Sequence, residues 1–284
     1  MKGFIKCLYR SIPWKVRDYI NFYRAFGRLP AIYNPKTFNE KILNRKRTDC
    51  INNPYFTVLA DKFFVRNYVK AKIGDGYLVP LIDVFDHVDE LKSKICNYSD
   101  CVIKPNHGAG MFQMVNNHLD KESSQKVMKK VSDWMKHDFY KVFGELQYKT
   151  IKRKILVEEM ICDRGQVPTD YKVHIFKKQN GDYSYVLQLI DDRLTGSLTR
   201  TFYVNNIDTP YSGEHFLIEE DKKIISEAIS LSNILVDDLN YARVDWYLYK
   251  GKLYFGEITL TPAAGVGTGY GKELDMLMGN EWRL

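Results

Sequence analysis

Arg243-Val244-Asp245-Trp246-Tyr247-Leu248-Tyr249, then Lys250-Gly251, then Lys252-Leu253-Tyr254-Phe255-Gly256-Glu257-Ile258-Thr259: two runs of aromatic and branched residues flank a two-residue turn that ends in glycine. The pattern predicts a hairpin, with Val244 to Tyr249 as one strand and Lys252 to Ile258 as the next. Side chains alternate along a strand, so Arg243 and Asp245 share a face, as do Glu257 and Thr259. Pairing through the turn can set Asp245 opposite Glu257. Two carboxylates converging on one face repel unless a cation sits between them. Mg²⁺ takes few carboxylates together with waters and phosphate oxygens. A surface hairpin with a cross-strand Arg–Glu pair is the alternative. The apolar neighbours Val244, Trp246, Phe255 and Ile258 favour a covered sheet with one charged face.

Upstream, Cys101-Val102-Ile103-Lys104 reads as a buried strand running into Pro105-Asn106-His107-Gly108-Ala109-Gly110, with a second strand at Met111 to Val115. A lysine leaving a strand beside a glycine-rich turn suits a phosphate. The ammonium brings charge, and glycines let backbone N–H groups approach the oxygens. It is neither a Walker A motif nor G-x-G-x-x-G, and a glycine-rich hairpin without a ligand would look similar. Val157-Glu158-Glu159-Met160-Ile161 is an apolar strand ending in acids, able to offer backbone groups to an adenine edge or simply to end in solvent. Asp170 and Lys172 lie on one side of a strand that begins a second hairpin, Tyr171 to Phe176 and Tyr183 to Ile190 around Asn180-Gly181. They could hold a ribose and a phosphate, or form a salt bridge. Helical spacing is expected over residues 121–143 and 219–235, around Pro54 to Ala71, and after Thr37, where Glu40 completes a capping box. Strands lying largely in hairpins among helices give an α+β class and disfavour a parallel Rossmann sheet.

The chain has 284 residues, 45% apolar and 27% charged, enough for one large domain or two lobes. No apolar run approaches the ~18 residues of a membrane span, and the first 30 residues lack a secretory pattern. Cysteines at 7, 50, 96, 101 and 162 form no C-x-x-C, a reduced, cytosolic usage. The histidines are scattered, and no structural metal is expected. Net charge is +7, and residues 1–72 carry 16 basic against 4 acidic side chains. Such an excess can attract an acidic polymer, a nucleotide or an anionic lipid surface, or be a solvated helix face. Residues 4–26, dense in aromatic and basic side chains, could lie on an anionic membrane or pack against the protein.

In order and spacing these pieces resemble the ATP-grasp superfamily, and most closely its TupA-like branch, associated with bacterial surface-polysaccharide biosynthesis. The likeness runs from Asn34-Pro35-Lys36-Thr37-Phe38-Asn39-Glu40-Lys41 through Asp61-Lys62, Val102-Ile103-Lys104-Pro105, Val157-Glu158-Glu159 and Asp170-Tyr171-Lys172 to Gly256-Glu257-Ile258-Thr259. It implies an ATP-grasp fold: two α+β lobes with antiparallel sheets sandwiching a nucleotide, residues 73–157 and 158–284, after a basic, mostly helical segment over 1–72. It implies ATP and Mg²⁺ as cofactors. Lys104 would meet the phosphates, with Lys62 or Arg66 as a further contact. His107, Gly108, Ala109, Gly110 and Met111 would form a lid. Glu158, Glu159, Met160 and Ile161 would hold adenine, and Asp170 the ribose. Asp245 and Glu257 would bind Mg²⁺, with Thr259 where many ATP-grasp ligases have asparagine. Because a hydroxyl is the poorer ligand, this departure puts a strict two-metal site in doubt. Arg243 would steady the transferred phosphoryl, with Lys172 and Arg193 nearby.

The implied reaction is phosphoryl transfer to a carboxylate, then attack by an amine, giving an amide, ADP and phosphate. The implied partners are an acidic glycan, or its sugar-nucleotide or lipid-linked precursor, bearing a uronic acid, and an amino acid or other amine. The expected location is cytoplasmic, with peripheral contact at an anionic inner membrane face as an option. A sugar or glycan kinase is the alternative on the same fold. A glycosyltransferase fits less well, because Asp191-Asp192 is adjacent rather than spaced. A non-catalytic glycan- or nucleic-acid-binding protein would show basic–aromatic platforms in a groove. Outside Met1 to Phe26 the aromatics sit at core-like positions, and no nucleic-acid partner is expected.

Overall fold

The computed structural model describes residues 9, 11–162, 168–191 and 199–284. Helix α1 (Trp14–Phe26) starts directly after Pro13 and ends on Gly27, whose left-handed backbone returns its N–H to the Tyr23 carbonyl. Helix α2 (Phe38–Arg47) begins at the predicted capping box: Thr37 Oγ1 accepts from the Glu40 N–H, and Glu40 accepts from the Thr37 N–H. The single helix expected from Pro54 to Ala71 is two, α3 (Pro54–Ala60) and α4 (Val65–Ile73). The chain breaks at Asp61, whose carboxylate accepts from the N–H groups of Phe63 and Phe64.

The first sheet contains β1 (Leu81–Phe85), β2 (Cys101–Pro105), β3 (Gln113–Val115) and β4 (Ile155–Glu159), in the order β1-β4-β2-β3 with every pair antiparallel. The apolar strand β4 is buried along most of its length, which fits its central place. Helices α5 (Val88–Lys94) and α6 (Lys121–Lys136) cover one face, packing Leu91, Val127 and Val131 on Ile103, Ile155 and Val157. Residues 121–143 do not form one helix. The segment stops at Lys136 and resumes as the single turn α7 (Tyr140–Phe143).

The second sheet holds β5 (Asp170–Lys177), β6 (Tyr183–Asp191), β7 (Thr199–Val204), β8 (Tyr241–Tyr249) and β9 (Lys252–Thr259), in the antiparallel order β7-β6-β5-β8-β9. One face is apolar. Tyr171, Val173, Leu187, Val244 and Trp246 form the largest core with α4 and helix α8 (Glu219–Leu235). The other face is divided. Its lower end, with Phe176, Val186, Phe202 and Tyr241, is covered by α2 and helix α9 (Gly271–Glu281) through Phe38, Leu274, Met278 and Trp282. Its upper end carries charge and looks toward the first sheet.

The basic excess of the first 72 residues is not one free face. Arg45, Lys46 and Arg17 are buried. Arg45 lies over the Trp282 ring at 4.4 Å and donates to the Tyr241 carbonyl, while Lys46 pairs with Asp18 at 2.7 Å. Arg45 thus ties α2 to the second sheet, Lys46 ties α2 to α1, and Arg17 ties α1 to the carbonyls of Lys141 and Val142. Among the described residues no helix is long and apolar enough to cross a membrane.

Candidate active site

The hairpin register sets Asp245 opposite Glu257 and Arg243 opposite Thr259, and β5 sets Lys172 opposite Asp245 on the other side. The four polar side chains of the hairpin and Lys172 therefore fall on one face, as the two-residue period requires. Arg243 grips Asp245 with both Nε and Nη2, at 2.6 and 2.8 Å, and Nη2 donates to Thr259 Oγ1 at 3.0 Å. Thr259 donates in turn to Glu257 Oε1 at 3.1 Å. Lys172 Nζ lies 2.5 Å from Asp245 and 2.9 Å from Asp170. From the far end of the sequence, Lys62 reaches Glu257 Oε2 at 2.5 Å. Burial opposes ionisation of Glu257, but Lys62, Arg243 and Lys172 outweigh it and hold the carboxyl well below the usual range.

On the first sheet, Lys104 and Glu158 pair across β2 and β4 at 2.5 Å, and Arg66 approaches the other Glu158 oxygen at 3.4 Å. Between the sheets lies a cleft of about 460 Å³. Lys62, Lys104, Ala109, Gly110, Glu158, Glu159, Met160, Ile161, Asp170, Lys172, Asp245 and Glu257 all line it. Arg243 and Thr259 stand behind Asp245 and Glu257. The N–H groups of Glu159 and Met160 already donate to the carbonyls of Pro80 and Asp100.

Two expected lid residues face elsewhere. His107 is buried with Nε2 on the Trp134 carbonyl, and burial together with Arg153 keeps its pKa low. A Cβ on Gly108 would stand 2.5 Å from Met111 Cε and 2.8 Å from Phe139, so this glycine is required by packing. Arg193 lies outside the described residues. Sequence reading missed the apolar walls Val102, Met114, Tyr247 and Phe255. The signal was available for two of them: Tyr247 is two residues past Asp245, and Val102 two before Lys104.

Two carboxylates at opposed positions with a hydroxyl bonded to one of them are hard oxygen donors, and this set fits Mg²⁺ held jointly by protein and phosphates. Among the described residues there is no group of three or more His, Cys, Asp or Glu that could hold a metal ion.

Two antiparallel sheets facing each other across a cleft lined by lysines, acids and a glycine-rich turn define an ATP-grasp fold. The TupA-like ATP-grasp profile matches residues 40–283, and the chain belongs to that family. Among solved structures, an L-amino acid ligase from Bacillus licheniformis superposes with a TM-score of 0.51 at 18% identity, over 86% of this chain and 55% of that one. D-alanine–D-alanine ligase from Helicobacter pylori gives a TM-score of 0.49 at 13% identity, over 80% and 61%. The VanG D-Ala:D-Ser ligase from Enterococcus faecalis gives 0.45 at 16%, over 78% and 60%. This chain thus spans somewhat more than half of each, and at these identities the likeness is one of fold. No curated protein matches the sequence.

Proposed function

We propose that the chain is an ATP-dependent, ADP-forming carboxylate–amine ligase. The observation that carries this reading is the convergence of Lys62, Lys104 and Lys172 with Asp245 and Glu257 on one cleft between two sheets. Lys104 and Lys62 bind the phosphates, the backbone from Glu159 to Ile161 meets adenine, and Asp170 meets the ribose. Asp245 and Glu257, aided by Thr259, would hold Mg²⁺, which supplies neutralising charge at the phosphates. Lys62 and Lys172 are held by acids of the same site, so each is one exchange of partner away from a phosphate oxygen. Arg243, kept cationic by Asp245, stands behind the two carboxylates and would steady the charge on the transferring group through them.

A carboxylate oxygen attacks the γ-phosphorus and ADP leaves. An amine then attacks the acyl carbon of the acyl phosphate, loses a proton and expels inorganic phosphate. Ala109 and Gly110 line the cleft, and closure of the glycine-rich turn they belong to would exclude water from the acyl phosphate. The carboxylate we favour is a uronic acid of a surface polysaccharide or its precursor, and the amine an amino acid. The family's TupA-like character supports this. The outward Tyr23, Leu29 and Tyr33 beside Arg24 and Arg28 agree with a lipid-linked or membrane-proximal acidic precursor.

The test is ADP release from the purified chain with Mg-ATP, candidate uronic acids and each amino acid. Glu257→Gln is expected to lower the rate about 100-fold. Release that ignores Glu257 removes the metal assignment. Hydroxylamine added in place of the amine yields a hydroxamate from an acyl phosphate and none from a sugar phosphate, so an absent hydroxamate with continued ADP release turns the reading to a kinase.

A further inference from the structure

Asn106, which carries no charge, is fully buried and uses every hydrogen-bonding group it has. Its side-chain N–H₂ donates to Asp61 Oδ1 and to the Lys152 carbonyl, both at 2.9 Å. Its side-chain oxygen accepts from the Lys154 N–H at 2.8 Å. Its backbone N–H donates to the Lys154 carbonyl and its carbonyl accepts from the Lys62 N–H, both at 3.1 Å. Three separate stretches meet on this one side chain: the break between α3 and α4, the exit of β2, and the approach to β4. Asp61 is itself buried and fixes the next turn through Phe63 and Phe64. Lys62 follows at once and extends to Glu257 on the other sheet.

We infer that Asn106 is a positioning residue that sets the reach of Lys62 into the cleft, holding Lys62 and the start of the glycine-rich turn in one frame. The inference rests on the nucleotide reading above for its functional meaning, and on the hydrogen bonds for its mechanics. An amide suits the task because it donates to a carboxylate and accepts from a backbone N–H at the same time. Aspartate would face Asp61 with a like charge, and alanine would take one donor from Asp61 and leave the Lys152 carbonyl and the Lys154 N–H without the partner they have here.

Two measurements separate the mechanics from the reading. The first is the rate at which an amine-acylating reagent labels Lys62, read by mass spectrometry on the folded protein; it does not depend on nucleotide. In Asn106→Ala the rate is expected to rise several-fold, with Lys72, distant from the joint, unchanged. An unaltered rate in a folded variant overturns the inference. If Asn106→Ala does not fold, Asn106→Asp takes its place beside the exchanged pair Asn106→Asp/Asp61→Asn. The single variant should label fast and the pair slowly again, and a pair that labels as fast as the single variant overturns it.

The second is a double-mutant cycle on Mg-ATP affinity, with AMP as control. Lys62→Met and Asn106→Ala (or Asn106→Asp) should each weaken ATP binding about tenfold, and the double variant by no more than either. AMP binding should stay within about twofold. Multiplying losses, or equal losses for AMP, overturn the inference. A wild-type chain that does not bind ATP ends the ligase reading instead, and leaves the labelling result to decide the positioning role.

Discussion

The Glu40 carboxylate accepts from the N–H groups of Ala31, Lys36 and Thr37 and pairs with Arg28. Burial would raise its pKa, but these bonds outweigh it and bring the value to about 2, from 4.5. The sign follows from linkage: a lowered carboxyl pKa adds stability in full above 4.5, and that stability drains away as pH falls toward 2. Because Arg28 is half exposed and screened, about 2–3 kcal/mol is at stake. Urea unfolding at pH 5.5 and pH 3 should show this loss in the wild type and a smaller pH dependence in Glu40→Gln. Equal pH dependence in the two proteins would mean that the capping box is indifferent to charge. Residue-scale features of this kind were readable in the sequence where they are local. Thr37 and Glu40 are three apart, and Asp245 and Glu257 meet through a two-residue turn. That Lys62 lands on Glu257 was not readable, because 195 residues separate them and no pattern connects them.

Helices α2 and α9 lie so close that the helix-interior Gly279 has no room for a side chain: a Cβ there would stand 2.1 Å from the Lys36 carbonyl oxygen and 2.8 Å from Thr37 Cα. Ordinary helix propensity favours Gly279→Ala by about 1 kcal/mol. The clash is with backbone, which cannot swing aside, and overpacking of this kind costs about 1–3 kcal/mol or more. We expect the clash to win, lowering the urea midpoint, while Gly76→Ala, where a Cβ meets nothing within 4 Å, leaves it nearly unchanged. A Gly279→Ala protein as stable as wild type would show that the two helices can part without loss. At this scale the sequence was legible for elements and poor for their ends. The hairpins around Gly181 and Gly251 follow from alternation plus a turn signal, and α8 from its apolar spacing. The break at Asp61 was masked by the apolar spacing on both sides of it, although the turn that the Asp61 carboxylate makes with the Phe63 and Phe64 N–H groups is local; the bond from Asn106 that adds to it is tertiary. The end of α6 at Lys136 was hidden because Phe139, in register with the helix's apolar face, packs instead on Tyr148.

For the whole molecule, hydrogen bonds that join the two walls of the cleft run through segments flanking the strands. The Phe255 N–H donates to the carbonyl of Tyr77, just before β1, at 2.7 Å; Lys62, at the break between α3 and α4, reaches Glu257; and Thr261, just after β9, is bonded to Gln147 and Glu145. The class, two antiparallel sheets among helices, was within reach of the sequence because strands joined by tight turns can only be antiparallel. The strand order was not. β4 comes last in its sheet along the chain and lies between β1 and β2, a choice made by burial on both faces rather than by any turn. A cleft lined from both sheets should respond to its ligand on both sides at once. Mg-ATP is therefore expected to slow amide hydrogen exchange in residues 106–114 and 157–161 of the first sheet and in 243–247 and 255–259 of the second. Helix α8, behind the large core, should not change. Exchange data with and without Mg-ATP check this directly. Protection confined to one sheet would mean that the nucleotide binds one wall without bridging, and the convergence of lysines and acids would then need another purpose. Protection on both, lost for the second sheet in Glu257→Gln, would tie the closing of the cleft to the acid that Lys62 holds.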